Sequence, residues 1–102
     1  MIHRIVVLAP EARDDLLHLY AWIAEAASPT VALSFIERVE TYLRGFDVAS
    51  ERGTRRDDIR PGLRTVGFAR RLTIAFTVDA SQVTILRVFY AGCDWRAALD
   101  DA

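Results

Sequence analysis

The residues able to do chemistry are few and widely separated in the sequence. The metal-ligating types are His3, His18 and Cys93. His3 falls in an expected strand and His18 on the polar face of an expected helix, with no HxxxH or CxxC spacing between any of them. They read as solvated surface groups, and no metal is expected. Gly45, Gly53, Gly62, Gly67 and Gly92 form no phosphate-cradling loop, so no nucleotide cofactor is expected either. Cys93 has Asp94 beside it, and adjacent negative charge disfavours a thiolate. It reads as a small residue at a strand end.

Phosphodiester chemistry is the remaining option. A metal-free ribonuclease deprotonates a 2′-hydroxyl, protonates a leaving oxygen and stabilises a charged phosphorane. Arg64, Arg71 and Arg87 suit the last task. Arginine is a poor proton carrier because its pKa exceeds about 12. Tyr90 or Asp94 would have to shuttle protons, and nothing in the sequence tunes either one. The plainer reading pairs the arginines with Asp57, Asp58 and Asp94.

The elements that must position these groups follow from the patterning. With 102 residues, 52% hydrophobic and 26% charged, one soluble globular domain over residues 1–102 is expected. No apolar run approaches a membrane span. The opening MIHRIVVLAP reads as a strand and not as a signal peptide. A single cysteine gives no disulfide framework and fits a reducing cytoplasm. A net charge of −1 argues against generic or sequence-specific nucleic-acid binding. The charge is nonetheless segregated: residues 10–51 hold three Arg against eight acids, and residues 52–78 hold seven Arg against two Asp. The basic stretch is either a solvated surface or a docking patch for an acidic or phosphate-rich partner.

Residues 2–8 are rich in β-branched side chains and predict a first strand. Pro10 suits a first helical position, and apolar residues from Ala12 to Ala27 recur at helical spacing, predicting a helix over 10–27. Ser28-Pro29 predicts an N-cap and a second helix over 29–46. Residues 50–60 read as a polar surface loop and Pro61-Gly62 as a turn. Three strands are then predicted near 63–69, 71–79 and 83–90. The order β-α-α-β-β-β implies an α+β two-layer domain, a helical hairpin packed on a largely antiparallel sheet. The expected core includes Val6, Leu16, Tyr20, Ile23, Phe35, Val39, Leu43, Ile74, Phe76, Leu86 and Val88. Strict alternation in the last strand puts Val83, Ile85 and Phe89 with Arg87 on an uncovered face, and Leu86, Val88 and Tyr90 against the helices. Trp95 is the one large anchor in the tail.

The segments LAPEARDDLLHLYAWIA (8–24), RRDDIRPGLRTV (55–66) and VTILRVFYAGCDW (83–95) together resemble the ParE family of toxins, within the wider RelE/ParE superfamily. The resemblance covers nearly the whole chain, and the fold it implies is the one derived above. It implies the toxin of a type II toxin–antitoxin pair, held inactive by a ParD-like antitoxin in a hetero-oligomer. ParE toxins are associated with poisoning DNA gyrase, whereas RelE-type relatives cut mRNA on the ribosome. Relatives often carry His or a basic residue where this chain has Tyr90 or Cys93. The expectation is therefore inhibition of gyrase by binding, with no catalytic residue and no cofactor. The alternatives are a ribosome-dependent endoribonuclease and a non-toxic protein-binding module. Expected target contacts are Arg64, Arg71, Arg87, Tyr90 and Trp95. Expected antitoxin contacts are Leu17, Trp22, Arg70, Arg71 and Phe89.

Overall fold

The computed structural model describes residues 3–48 and 50–90. Its elements are β1 (Ile5–Leu8), α1 (Pro10–Ala26), α2 (Pro29–Arg44), a 3-10 turn (Gly45–Asp47), β2 (Thr54–Arg55), β3 (Leu63–Phe68), β4 (Leu72–Val78) and β5 (Gln82–Tyr90). Local chemistry sets most of these limits. Pro10 and Pro29 occupy first-turn positions where an amide donor is not needed. The Ser28 hydroxyl accepts from the Val31 N–H at 3.1 Å and caps α2. The second helix stops at Arg44, short of the predicted Phe46, because the chain tightens to 3-10 geometry at Gly45. The tighter turn still delivers Phe46 to the interior, fully buried and edge-on to Phe76 at 4.9 Å.

The sheet has five strands in the order β1-β5-β4-β3-β2. The first strand runs parallel to β5, and the other neighbours are antiparallel. A parallel pair requires a crossover, which the helical hairpin supplies. The two-residue β2 lies inside the segment expected to be loop. It is admitted by Gly53, which has φ +73° and whose absent Cβ would sit 2.3 Å from the Thr65 carbonyl oxygen. Gly62 takes φ +79° in the predicted turn, and its N–H donates to Asp57 at 2.8 Å.

One face of the sheet packs on the helices around Leu16, Val39, Leu43, Ile74, Phe76 and Ile85. A β-bulge in β5 corrects the expected facing of that strand. Phe76 pairs with Ile85 but Ala75 pairs with Arg87, so Leu86 is the extra residue. Val83 and Ile85 consequently join Val88 on the helical side. Leu86 leaves the helical core and joins Leu63, Ala75 and Phe89 on the opposite face, where Ile59 from the 56–62 loop covers them. Phe89 is only 3% exposed. The second face is thus filled by the chain's own loop, where an uncovered apolar surface was expected. Of the remaining expected core, Tyr20 is half-buried and outside the main cluster.

Candidate partner-binding site

Beyond its interior, the sheet ends in an open apolar groove. Leu72 opens β4 and pairs across the ladder with Tyr90, which closes β5. The Tyr90 ring stacks on Trp22 from α1, with centroids 5.6 Å apart and planes at 18°. Both rings stay in water: Trp22 is 57% and Tyr90 54% exposed. Together with Leu19 and Ile23 of α1 and Val31 and Phe35 of α2 they line a cavity of about 420 Å³. Arg71 is the one charged side chain among its described liners. It is exposed and makes no side-chain hydrogen bond or ion pair among the described residues.

A second, smaller cavity of about 300 Å³ lies along the edge of β5, between Asp15, His18 and Trp22 of α1 and Arg87, Val88 and Tyr90. Among the described residues this edge is open, because β1 ends at Leu8, opposite Ile85, while β5 continues to Tyr90. Asp15 stands in for the missing strand. Its carboxylate accepts the Val88 N–H at 2.9 Å and both Nε and Nη2 of Arg87 at 2.8 and 3.0 Å. The side chains are 13% and 31% exposed, so the pair is partly shielded and bidentate. The Arg87 guanidinium also lies 4.8 Å from the Phe89 ring centroid.

Against this geometry, the sequence profile described as "ParE toxin of type II toxin-antitoxin system, parDE" matches residues 6–95. The chain belongs to this family. No curated protein sequence matches it. A similar solved structure is the chromosomal ParDE toxin–antitoxin system of P. aeruginosa, with TM-score 0.76 and 21% identity, covering 86% of this chain and 96% of that one. The toxin–antitoxin complex RelBE2 of Mycobacterium tuberculosis is also similar, with TM-score 0.58 and 19% identity, covering 91% and 97%. At these identities both establish the α+β fold of RelE/ParE-like toxins and nothing finer. Among the described residues no helix is long and apolar enough to cross a membrane.

The structure redistributes the site residues expected of this ParE-family chain. Trp22, Arg71 and Tyr90, assigned above to two different partners, meet in one groove. Arg70 is exposed but does not line it. Leu17 is 67% exposed on α1, also outside the groove. The burial of Phe89 removes it from the accessible surface, a consequence of the bulge. Arg87 does not face water as an unpartnered cation but is held by Asp15. Arg64 is half-buried, on the opposite side of β3 from Leu63 and Thr65, and donates to the Arg52 carbonyl at 3.3 Å. Cys93, Asp94 and Trp95 lie outside the described residues.

Much of the basic stretch is occupied internally. Arg52 donates to the Gly45 carbonyl at 2.9 Å and covers the Phe46 ring at 4.2 Å. Arg55 pairs with Asp57 at 3.2 Å and Arg56 with Asp58 at 2.9 Å. The Gly62 N–H, with help from Arg55, holds the Asp57 carboxyl below the usual carboxylate range. Asp15 and the second cavity were missed from sequence. The signal that existed was an acid in the first turns of a helix that follows a short strand, and it pointed equally well to the helix dipole.

Proposed function

We propose that this toxin acts by binding DNA gyrase without a chemical step, and that a ParD-like antitoxin neutralises it by seating an apolar segment in the Trp22–Tyr90 groove. The observation that carries the reading is the groove itself. Two stacked, half-exposed aromatic rings beside an arginine with no side-chain partner among the described residues are what a protein-binding hot spot is made of, with aromatic and Arg anchors dominating such surfaces. Two of the three arginines that would serve ribonuclease chemistry are engaged elsewhere, Arg87 with Asp15 and Arg64 with a backbone carbonyl, which leaves Arg71 as the third. A guanidinium held bidentately by a carboxylate keeps its charge but has it compensated by that carboxylate, so it offers less to a phosphorane.

The test sets the purified protein against gyrase supercoiling and, separately, against mRNA on translating ribosomes. Linear, protein-linked DNA with intact message is the expected result. Cleaved message with untouched supercoiling would replace this reading with the ribonuclease one, and Tyr90→Phe would then be the first variant to make. Co-expression with the ParD-like partner is expected to abolish the effect and to raise soluble yield.

A further inference from the structure

The groove has an asymmetry that an apolar docking surface does not need. Its walls are hydrocarbon and aromatic, yet Arg71 stands among them with no side-chain partner among the described residues. The backbone that places it there is strained. Ala69 and Arg70, the two residues before it, have φ +55° and +56°. Positive φ at both central residues is the signature of primed hairpin turns, which select Gly, Asn or Asp. An L-residue with a Cβ costs roughly 1–2 kcal/mol in the left-handed region. The turn is closed by the Arg71 N–H donating to the Phe68 carbonyl at 3.1 Å. Arg71 therefore leaves the turn directly beside Leu72, opposite Tyr90 in the ladder and within the groove lined by Trp22.

We propose that Arg71 is the specificity-determining residue of this groove, selecting partner segments that carry an aspartate or glutamate close to the apolar side chain that fills the cavity. This rests on the reading of the groove as the partner-binding site. The argument is a difference of affinities. An apolar segment lacking an acid would cover Arg71 and leave a cation desolvated without a counter-charge, which is heavily penalised. A segment with a suitably spaced carboxylate turns that penalty into a bidentate, charge-assisted pair. One residue thus both favours the acidic partner and rejects the neutral or basic one. Lysine would not substitute, because it lacks the planar fork.

The experiment is a display selection of random twelve-residue peptides on the immobilised full chain, run in parallel on Arg71→Glu, Trp22→Ala and Arg70→Glu. Circular dichroism checks that each variant is folded. Wild type is expected to enrich an aromatic or leucine anchor with Asp or Glu at fixed spacing. Arg71→Glu is expected to switch that acidic position to Lys or Arg, and to weaken the best wild-type peptide at least about tenfold. Arg70→Glu, altering a neighbouring cation outside the groove, is expected to leave the consensus unchanged. If Trp22→Ala erases the anchor but Arg71→Glu leaves the acidic position intact, the groove stands and the role of Arg71 is refuted. If neither variant changes the consensus, or none emerges on wild type, the groove reading itself fails. Equal effects of Arg70→Glu and Arg71→Glu would reduce the selection to general surface charge and overturn the proposal.

Discussion

At the scale of single residues, Asp15 does more than any other polar group in the described chain. It satisfies a strand amide, neutralises an arginine and joins α1 to a strand 72 residues away. Removing it takes the bidentate carboxylate from a half-buried guanidinium and the acceptor from an edge N–H. Asp15→Ala is expected to cost about 2–4 kcal/mol in urea unfolding, the range for breaking a shielded charged pair from one side. Arg87→Met should cost clearly less, since the carboxylate keeps the Val88 N–H and solvent access. Equal losses would mean that the edge bond contributes nothing. Asp79 shows a milder version of the same chemistry. The Ser81 N–H, then the Gln82 N–H, hold its carboxyl below the usual range, with bonds of 2.9 and 2.8 Å. A depressed folded pKa contributes stability above the unfolded value, near pH 4, and loses it as pH falls through the lower folded value. Asp79→Asn should therefore flatten the acid limb of the stability–pH curve below about pH 4. An acid limb as steep as wild type would assign the pH dependence to other carboxylates.

At the scale of elements, what was readable was what the sequence encodes locally. Ser28-Pro29 and Pro61-Gly62 act on their own backbone, and period-two and helical patterning name the face each residue takes. The groove was readable only in parts. Trp22 and Tyr90 were each expected to touch a partner, though not the same one, and their stacking depends on where α1 crosses the sheet. The bulge at Leu86 was invisible, because alternation gives no sign of one extra residue, and a one-residue slip exchanges the faces of everything before it. β2 was hidden for a related reason: two residues carry no periodicity, and their pairing depends on the close approach of Gly53 to β3. That dependence is testable. Gly53→Ala places a methyl against the Thr65 carbonyl at positive φ, so β2 must peel away. A loss of at least about 2 kcal/mol is expected, with amide-exchange protection falling at Thr54 and Arg55 before the rest of the sheet. A substitution without effect on either would show that β2 contributes nothing to holding the 50–60 loop.

At the scale of the whole molecule, the sheet is finished at one end and unfinished at the other. β1 covers β5 only as far as Ile85, and β2 covers β3 only as far as Thr65. Among the described residues, the halves of β5 and β3 left without an outer neighbour lie at the end that holds Phe68, Leu72 and Tyr90. That same end carries the groove, the strained turn and the Trp22–Tyr90 stack. Stacked aromatics left more than half exposed are a poor arrangement for an isolated soluble protein and a good one for a chain that works in complex. Trp22→Ser separates the two cases. It removes the exposed partner of the stack while Leu16, Leu19 and the rest of the buried face of α1 stay in place. The helical signal and the melting temperature of the isolated chain should therefore change little. Affinity for the antitoxin should fall by about 30-fold or more, the effect of losing an aromatic hot spot worth about 2 kcal/mol. The rise in melting temperature on adding antitoxin should shrink with it, because that rise is set by the ratio of free partner to its dissociation constant. Calorimetric titration and thermal melts of the same two proteins measure both quantities. A variant that melts early and binds normally would make Trp22 a structural residue and move the partner's footprint to another face, with Leu17 and Leu33 on the helical hairpin the next exposed apolar pair to test.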